Sequence, residues 1–129
     1  MTDLLFVYGT LMQQAANPFS EHLRQHSRYI GRGSFPGQLY LVSWYPGAVS
    51  DPAAPTNVCG EVFQLLQPDL TLPLLDEYED TAGDTGEFIR KPVTVSILGQ
   101  QKRCWVYLYN FSVEKLVHIP TGDFRPYLK

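Results

Sequence analysis

Phe6-Val7-Tyr8-Gly9-Thr10-Leu11 carries an apolar strand, Leu4 to Tyr8, directly into a glycine and a hydroxyl residue. Such a strand end presents backbone amides. Gly9 lacks a Cβ, so the turn is free to adopt positive φ and a ligand can approach the main chain, while the N–H groups of Thr10 and Leu11 stay available to donate. That is how an oxyanion or carboxylate cradle is built. Taken alone, the stretch reads first as a strand end with a turn, and its meaning depends on what the rest of the chain sets beside it.

The 129 residues, 44% hydrophobic and 13% aromatic, suffice for one packed core and are too few for two ordinary domains, so residues 1–129 are expected to form a single domain. The formal net charge is −3, and the basic runs stop at the pairs Arg90-Lys91 and Lys102-Arg103. That excludes the electrostatic footprint of sequence-independent nucleic-acid binding, so no nucleic-acid partner is expected. Asp3 stands where a targeting segment would be basic, and no apolar run approaches the roughly 20 residues of a membrane span. A cytoplasmic protein without a membrane partner is the expectation. Cys59 and Cys104 lie in apolar, β-branched surroundings without a Cys-x-x-Cys partner, which favours buried thiols over zinc or dithiol chemistry. A disulfide between them fits a cytosolic location poorly.

Along the chain, Leu11 to Ala16 is mildly helical in composition. Asn17-Pro18 then supplies an N-cap and a first-turn proline for a helix through about His26, with Phe19 and Leu23 on its inner face. His22 and His26 have metal-ligand spacing but no nearby third ligand, so a solvated helix face is expected and no metal site. Ser27 to Ser34 predicts a strand with a bend or bulge at its glycines, Phe35-Pro36-Gly37 a turn, and Gln38 to Val42 a further strand. Trp44-Tyr45-Pro46-Gly47 is an aromatic corner, expected to cap the core and otherwise to wall a pocket. Asp51 to Asn57 reads as a surface loop. Val58 to Leu66 is a strand that sets Glu61 among Cys59, Phe63 and Leu65; a strand-edge glutamate reaching solvent is the expectation there, with a buried carboxylate as its rival.

Gln67 to Asp80 begins as a turn and becomes a short helix with Pro73 in its first turn and Leu74, Leu75 and Tyr78 inward. Asp76, Glu77, Glu79 and Asp80 crowd four carboxylates into five positions, and most must be solvated. Glu79 differs. It flanks the apolar stripe at the helix C-terminus, where the macrodipole disfavours an anion, and a carboxylate so placed has a raised pKa. Asp80, Asp84 and Glu87 fail the spacing of a calcium loop. Glu87 to Leu98 is a long strand with Pro92 at an edge or bulge. Gly99-Gln100 turns it into a strand through Tyr109 whose two bulky faces make it central. Val117 to Arg125 reads as an extended tail.

The chain has no repeats, Walker loop, dinucleotide glycine pattern, nucleophile elbow or Cys/His pair. An enzyme built this way works without a covalent nucleophile, metal or cofactor.

With residues 6–11 and 75–79 both in hand, the sequence resembles the γ-glutamylcyclotransferase-like superfamily, in its γ-glutamylamine cyclotransferase and AIG2-like branch. The resemblance rests on Phe6-Val7-Tyr8-Gly9-Thr10-Leu11, on Gly33-Ser34-Phe35-Pro36-Gly37-Gln38-Leu39-Tyr40, on Gly60-Glu61-Val62-Phe63, on Leu75-Asp76-Glu77-Tyr78-Glu79 and on the strand containing Arg90. It implies an α+β fold, a small mixed β-barrel with two or three short helices packed outside. It also implies a small-molecule γ-glutamyl substrate whose amino-acid end is held by Tyr8, Gly9, Thr10 and Leu11, with Glu79 as the catalytic acid/base. Two positions depart from the pattern: Asp80 stands where relatives often carry glycine, and Phe88 where tyrosine is common. The implied reaction is intramolecular aminolysis, in which the substrate supplies its own nucleophile and leaves as 5-oxoproline plus an amine. A binding module of the same fold without the chemistry, and a barrel that binds a partner and has no pocket, are the competing readings.

Overall fold

The computed structural model describes residues 2–12, 15, 17–79 and 85–128. In chain order they form β1 (Leu4–Val7), α1 (Pro18–Gln25), β2 (Ser27–Leu41), β3 (Pro46–Ser50), β4 (Asn57–Leu65), α2 (Pro68–Tyr78), β5 (Phe88–Ile97), β6 (Gln100–Tyr109) and β7 (Val117–Ile119), followed by a 3-10 turn at Arg125–Tyr127. Neighbouring strands run β2-β4-β1-β6-β5, and β5 returns to β2 through Gly33↔Ile97 and Ser34↔Ser96, closing a five-stranded barrel. Closure leaves these strands few free edges. The β1–β6 pair is parallel and the other barrel pairs are antiparallel. The fold is therefore the small mixed barrel with helices outside that the resemblance implies.

β2 explains how the barrel is extended. Its first part pairs with β4, and its second part pairs with β3 on one side and β7 on the other. The turn expected at Phe35-Pro36-Gly37 does not form, and one 15-residue strand runs through it. Pro36 pairs with Asn57 at the last register position of β4, and Gly37 pairs with Ser50 of β3. A Cβ on Gly37 would lie 2.3 Å from the Val49 carbonyl oxygen, so this glycine allows two strands to approach closely and does not reverse the chain. The bulge expected among the earlier glycines is present, between Tyr29 and Gly31.

α1 starts as expected. Asn17 Oδ1 accepts from the Phe19 and Ser20 N–H groups, and Ser20 Oγ completes the capping box. Thr10 to Met12 form turns and no helix, with the Met12 N–H donating to Gly9; the remainder of the segment expected to be helical lies partly outside the described residues. His22 and His26 stack at 4.0 Å on the α1 surface, where parallel rings do not converge on an ion. In α2, Pro68 occupies the first turn and Pro73 sits inside the helix, contrary to expectation. Pro73 is exposed, and the carbonyl it deprives of a donor belongs to exposed Asp69, where water substitutes. Thr71, Leu72 and Leu75 are buried, while Leu74 and Tyr78 are only partly so. Leu75 is fully enclosed in the barrel's apolar cluster, worth about 1.5–3 kcal/mol, and this fixes the helix whose last turn carries the acidic residues.

Glu61 is buried, contrary to the expected solvent-facing glutamate, and lies 3.8 Å from Arg32. Cys104 is buried and Cys59 only partly so, and both are free thiols. Pro92 falls where β5 has β6 as its one neighbour, so its missing N–H costs no ladder bond on the other side. Among the described residues no helix is long and apolar enough to cross a membrane.

Candidate active site

Because β1 and β6 are parallel, both deliver their C-terminal ends to the same end of the barrel. A cavity of about 180 Å³ opens there. Tyr8, Gly9, Thr10 and Leu11 form part of its wall, and Glu79, Glu87, Tyr78, Phe88 and Tyr107 form others. Residues 70 positions apart in sequence thus meet at one cavity. Trp44, Tyr45 and Pro46 also line it; Trp44 is 69% exposed and serves only as wall, while Tyr45 both walls the pocket and packs against the core as expected.

The Tyr8–Leu11 segment is held largely by its side chains. Tyr8 donates its hydroxyl to the Tyr107 carbonyl at 2.6 Å and accepts from the Ala48 N–H at 3.1 Å. Burial, with the Glu79 charge adding to it, raises the Tyr8 pKa far above the ordinary phenol value, so this hydroxyl stays protonated and acts as a tie. Thr10 Oγ1 and Tyr78 Oη are hydrogen-bonded at 2.7 Å, linking the segment to the last turn of α2. The side-chain amide of Asn17 donates to the Thr10 carbonyl at 2.7 Å. The N–H groups of Thr10 and Leu11 donate to no described residue. Gly9 does not use the positive φ open to a glycine. A Cβ there would lie 2.7 Å from Pro46 Cγ, so the glycine is needed for contact with the Pro46 wall.

Glu79 caps the C-terminus of α2, its N–H donating to the Leu75 carbonyl. The residue is partly exposed, but its carboxyl end is enclosed in the cavity wall. Burial first, and the Glu87 charge second, push its pKa up to about 8. No described residue hydrogen-bonds the carboxyl group. The carboxyl is thus free to exchange a proton with whatever occupies the cavity, and near neutral pH both of its forms are accessible.

Several residues that the sequence did not single out complete this end. Asp76 is one helical turn before Glu79 and accepts from Arg90 Nε at 2.7 Å, Arg90 Nη2 at 3.1 Å and the Tyr107 hydroxyl at 2.7 Å. The Arg90 guanidinium lies 4.5 Å from the Trp105 ring centre. Glu87 accepts the Tyr45 hydroxyl at 2.6 Å. The helical offset of Asp76 from Glu79 was readable; that Arg90 and Tyr107 would be its partners was not. Asp80 and Asp84 of the rejected calcium set lie outside the described residues. Among the described residues no group of three His, Cys, Asp or Glu could hold a metal.

Residues 5–126 match the family described as gamma-glutamyl cyclotransferase, AIG2-like. No curated protein matches the chain. Among solved structures, YkqA from Bacillus subtilis is 27% identical with a TM-score of 0.72, the match covering 95% of this chain and 39% of YkqA. The chain therefore spans well under half the length of that relative. Protein ytfP from Escherichia coli is 28% identical with a TM-score of 0.69, over 95% of this chain and 96% of the other. An AIG2-like protein from Mus musculus has a TM-score of 0.75 at 24% identity, covering 95% of this chain and 89% of its own, a likeness of fold.

Proposed function

The chain belongs to the AIG2-like gamma-glutamyl cyclotransferase family, and from that premise we propose that it releases 5-oxoproline and an amine from a γ-glutamyl amine or γ-glutamyl peptide. The observation that carries this reading is one carboxyl with its pKa pushed up to about 8, lining the same cavity as Thr10 and Leu11, whose N–H groups have no acceptor among the described residues. A peptide α-amine titrates at about 7.7–8.0, and the free α-carboxylate of a γ-glutamyl group makes its α-ammonium a somewhat weaker acid than that. Proton transfer from it to Glu79 is uphill, but far less so than transfer to an ordinary carboxylate, which suits one group to serve as base and then as acid.

In this mechanism the γ-glutamyl α-carboxylate lies against the Thr10 and Leu11 amides. Glu79 takes a proton from the α-ammonium, and the freed nitrogen attacks the γ-carbonyl carbon of the same molecule. The new C–N bond closes a five-membered ring while the carbonyl π pair moves to oxygen. On collapse, the bond from the γ-carbon to the leaving nitrogen breaks. The two protons that the ring nitrogen sheds pass by way of Glu79 to the leaving nitrogen, so the carboxylate ends as it began and no water is consumed. Holding both reacting atoms within one bound molecule supplies much of the rate through proximity. This accounts for a site built without a nucleophilic side chain.

Incubation with γ-glutamyl amines and dipeptides, followed by assay of 5-oxoproline, tests the reading. Glu79→Gln should keep ligand binding and lose ~10²–10⁴-fold in turnover, the usual contribution of general acid–base catalysis. Near-normal turnover in that variant removes Glu79 from the mechanism. Ligand binding by the wild-type protein without product would make it a binding module.

A further inference from the structure

The cavity mouth is crossed by a continuous row of aromatic rings. Trp44 and Tyr45 are 5.1 Å apart between ring centres, Tyr45 and Phe88 6.0 Å, Phe88 and Tyr109 5.6 Å, and Tyr109 and Phe111 5.9 Å. Three of the five line the cavity, and the row continues past it to Phe111, which is 52% exposed. Four contacts, none beyond 6.0 Å, are within the range of ring–ring pairing, yet both ends of the row remain open to solvent. Phe88 at the centre is buried and lines the cavity, while Trp44 and Phe111 expose the two ends, and exposed aromatic area continuous with a ligand cavity is where binding is expected.

The position of the acids gives this surface a direction. Glu79 would protonate the leaving nitrogen, so that nitrogen lies within reach of Glu79 in the cavity. Glu87 lines the same cavity and accepts the Tyr45 hydroxyl at 2.6 Å, which sets a second carboxylate directly against the row. The only charged residues lining the cavity, among those described, are these two glutamates. A group leaving past them meets aromatic faces and negative charge, and among the described residues that line the cavity there is no lysine, arginine or histidine to receive a carboxylate.

We propose that this aromatic row is the subsite for the leaving amine, and that it selects γ-glutamyl amines whose amine carries an apolar body, best an aryl ring, and no carboxylate. The inference rests on the cyclotransferase reading above and names the substrate class of that same site. A cavity of about 180 Å³ holds a group the size of an amino acid, so the remainder of a larger substrate must lie along the mouth, where Tyr109 and Phe111 continue the wall.

Three substrates test it: γ-glutamyl-methylamine, γ-glutamyl-phenethylamine and γ-glutamyl-phenylalanine, the last two differing by one carboxylate. The phenethylamine substrate should exceed each of the others in kcat/KM by roughly tenfold, the scale of one good aromatic contact. In Phe111→Ala the advantage of phenethylamine over methylamine should shrink toward unity, and Phe111→Trp should restore it. Trp44→Ala provides a second variant should the first fold poorly. Equal kcat/KM for the methylamine and phenethylamine substrates, equal values with and without the carboxylate, or a preference unchanged in Phe111→Ala overturns the subsite while 5-oxoproline release upholds the cyclotransferase reading. Absence of 5-oxoproline from all three overturns that reading and the subsite with it.

Discussion

Asp76 accepts the Tyr107 hydroxyl at 2.7 Å, and Tyr107 in turn receives the Tyr8 hydroxyl on its main-chain oxygen at 2.6 Å. One chain of hydrogen bonds therefore runs from the helix that leads into Glu79 through β6 to the Tyr8–Leu11 segment. Arg90 closes a second link, from β5 to the same carboxylate. The acid and the Thr10–Leu11 segment are held in a fixed relation although they come from different elements, distant in sequence. Removal of Asp76 should loosen that relation while leaving both partners in place.

Asp76→Asn retains one acceptor oxygen and turns an N–H₂ toward the Arg90 fork, so at least one charge-assisted bond is lost. The expected cost is about 1.5–3 kcal/mol of stability, read by urea unfolding. Turnover should fall ~10-fold with little change in KM, because a misplaced Glu79 penalises the transition state more than binding. Unchanged turnover in a destabilised variant would show that Asp76 only supports the fold.

Burial first, and the Glu87 charge second, place the pH dependence of the proposed chemistry. The productive complex holds one proton between Glu79 and the substrate amine, so kcat/KM should rise with pH until Glu79 ionises, near its pKa of about 8. Glu87→Gln keeps an acceptor for the Tyr45 hydroxyl and removes the neighbouring negative charge. Ionised Glu79 then becomes less costly, its pKa falls, and the rising limb moves to lower pH. A pH–rate profile of this variant superimposable on the wild type would mean that another group controls the limb.

Much of this fold was legible because the signals were local. Asn17-Pro18 begins α1 because a capping side chain and a pre-set φ act within one turn. Glu79 stood out because four carboxylates cannot all be solvated equally beside an apolar stripe. What failed depended on partners distant in sequence. Pro36-Gly37 has the composition of a turn, and only the arrival of β3 and β4 on either side keeps β2 extended through it. Glu61 looked like an edge residue until Arg32, its register partner on β2, covered it. β3 and β7 were missed because strands of five and three residues, flanked by prolines, carry too little alternation to be seen before β2 is in place. Trp44 was misassigned for a similar reason: an aromatic corner reads the same whether the space behind it is core or cavity.

The carboxyl at the centre of the site should also be visible in the stability of the fold. The folded-state pKa of Glu79 is raised, to about 8 from a model-compound value of 4.5. The folded chain therefore binds this proton more tightly than the unfolded chain. The stability that the group contributes is complete below pH 4.5, declines as pH rises and is lost once pH passes about 8. Gln mimics the protonated form at every pH. Glu79→Gln and the wild type should thus unfold with the same free energy at acidic pH, and the variant should become the more stable one as pH rises. Linkage over the whole window sets a ceiling of about 5 kcal/mol, which the partial exposure of Glu79 reduces to about 1–3 kcal/mol. Urea unfolding of both proteins at a series of pH values measures the difference directly. Stability curves that run parallel from acid to alkaline pH would mean that Glu79 ionises like an ordinary surface carboxylate, and a single group could not then act as both base and acid at neutral pH.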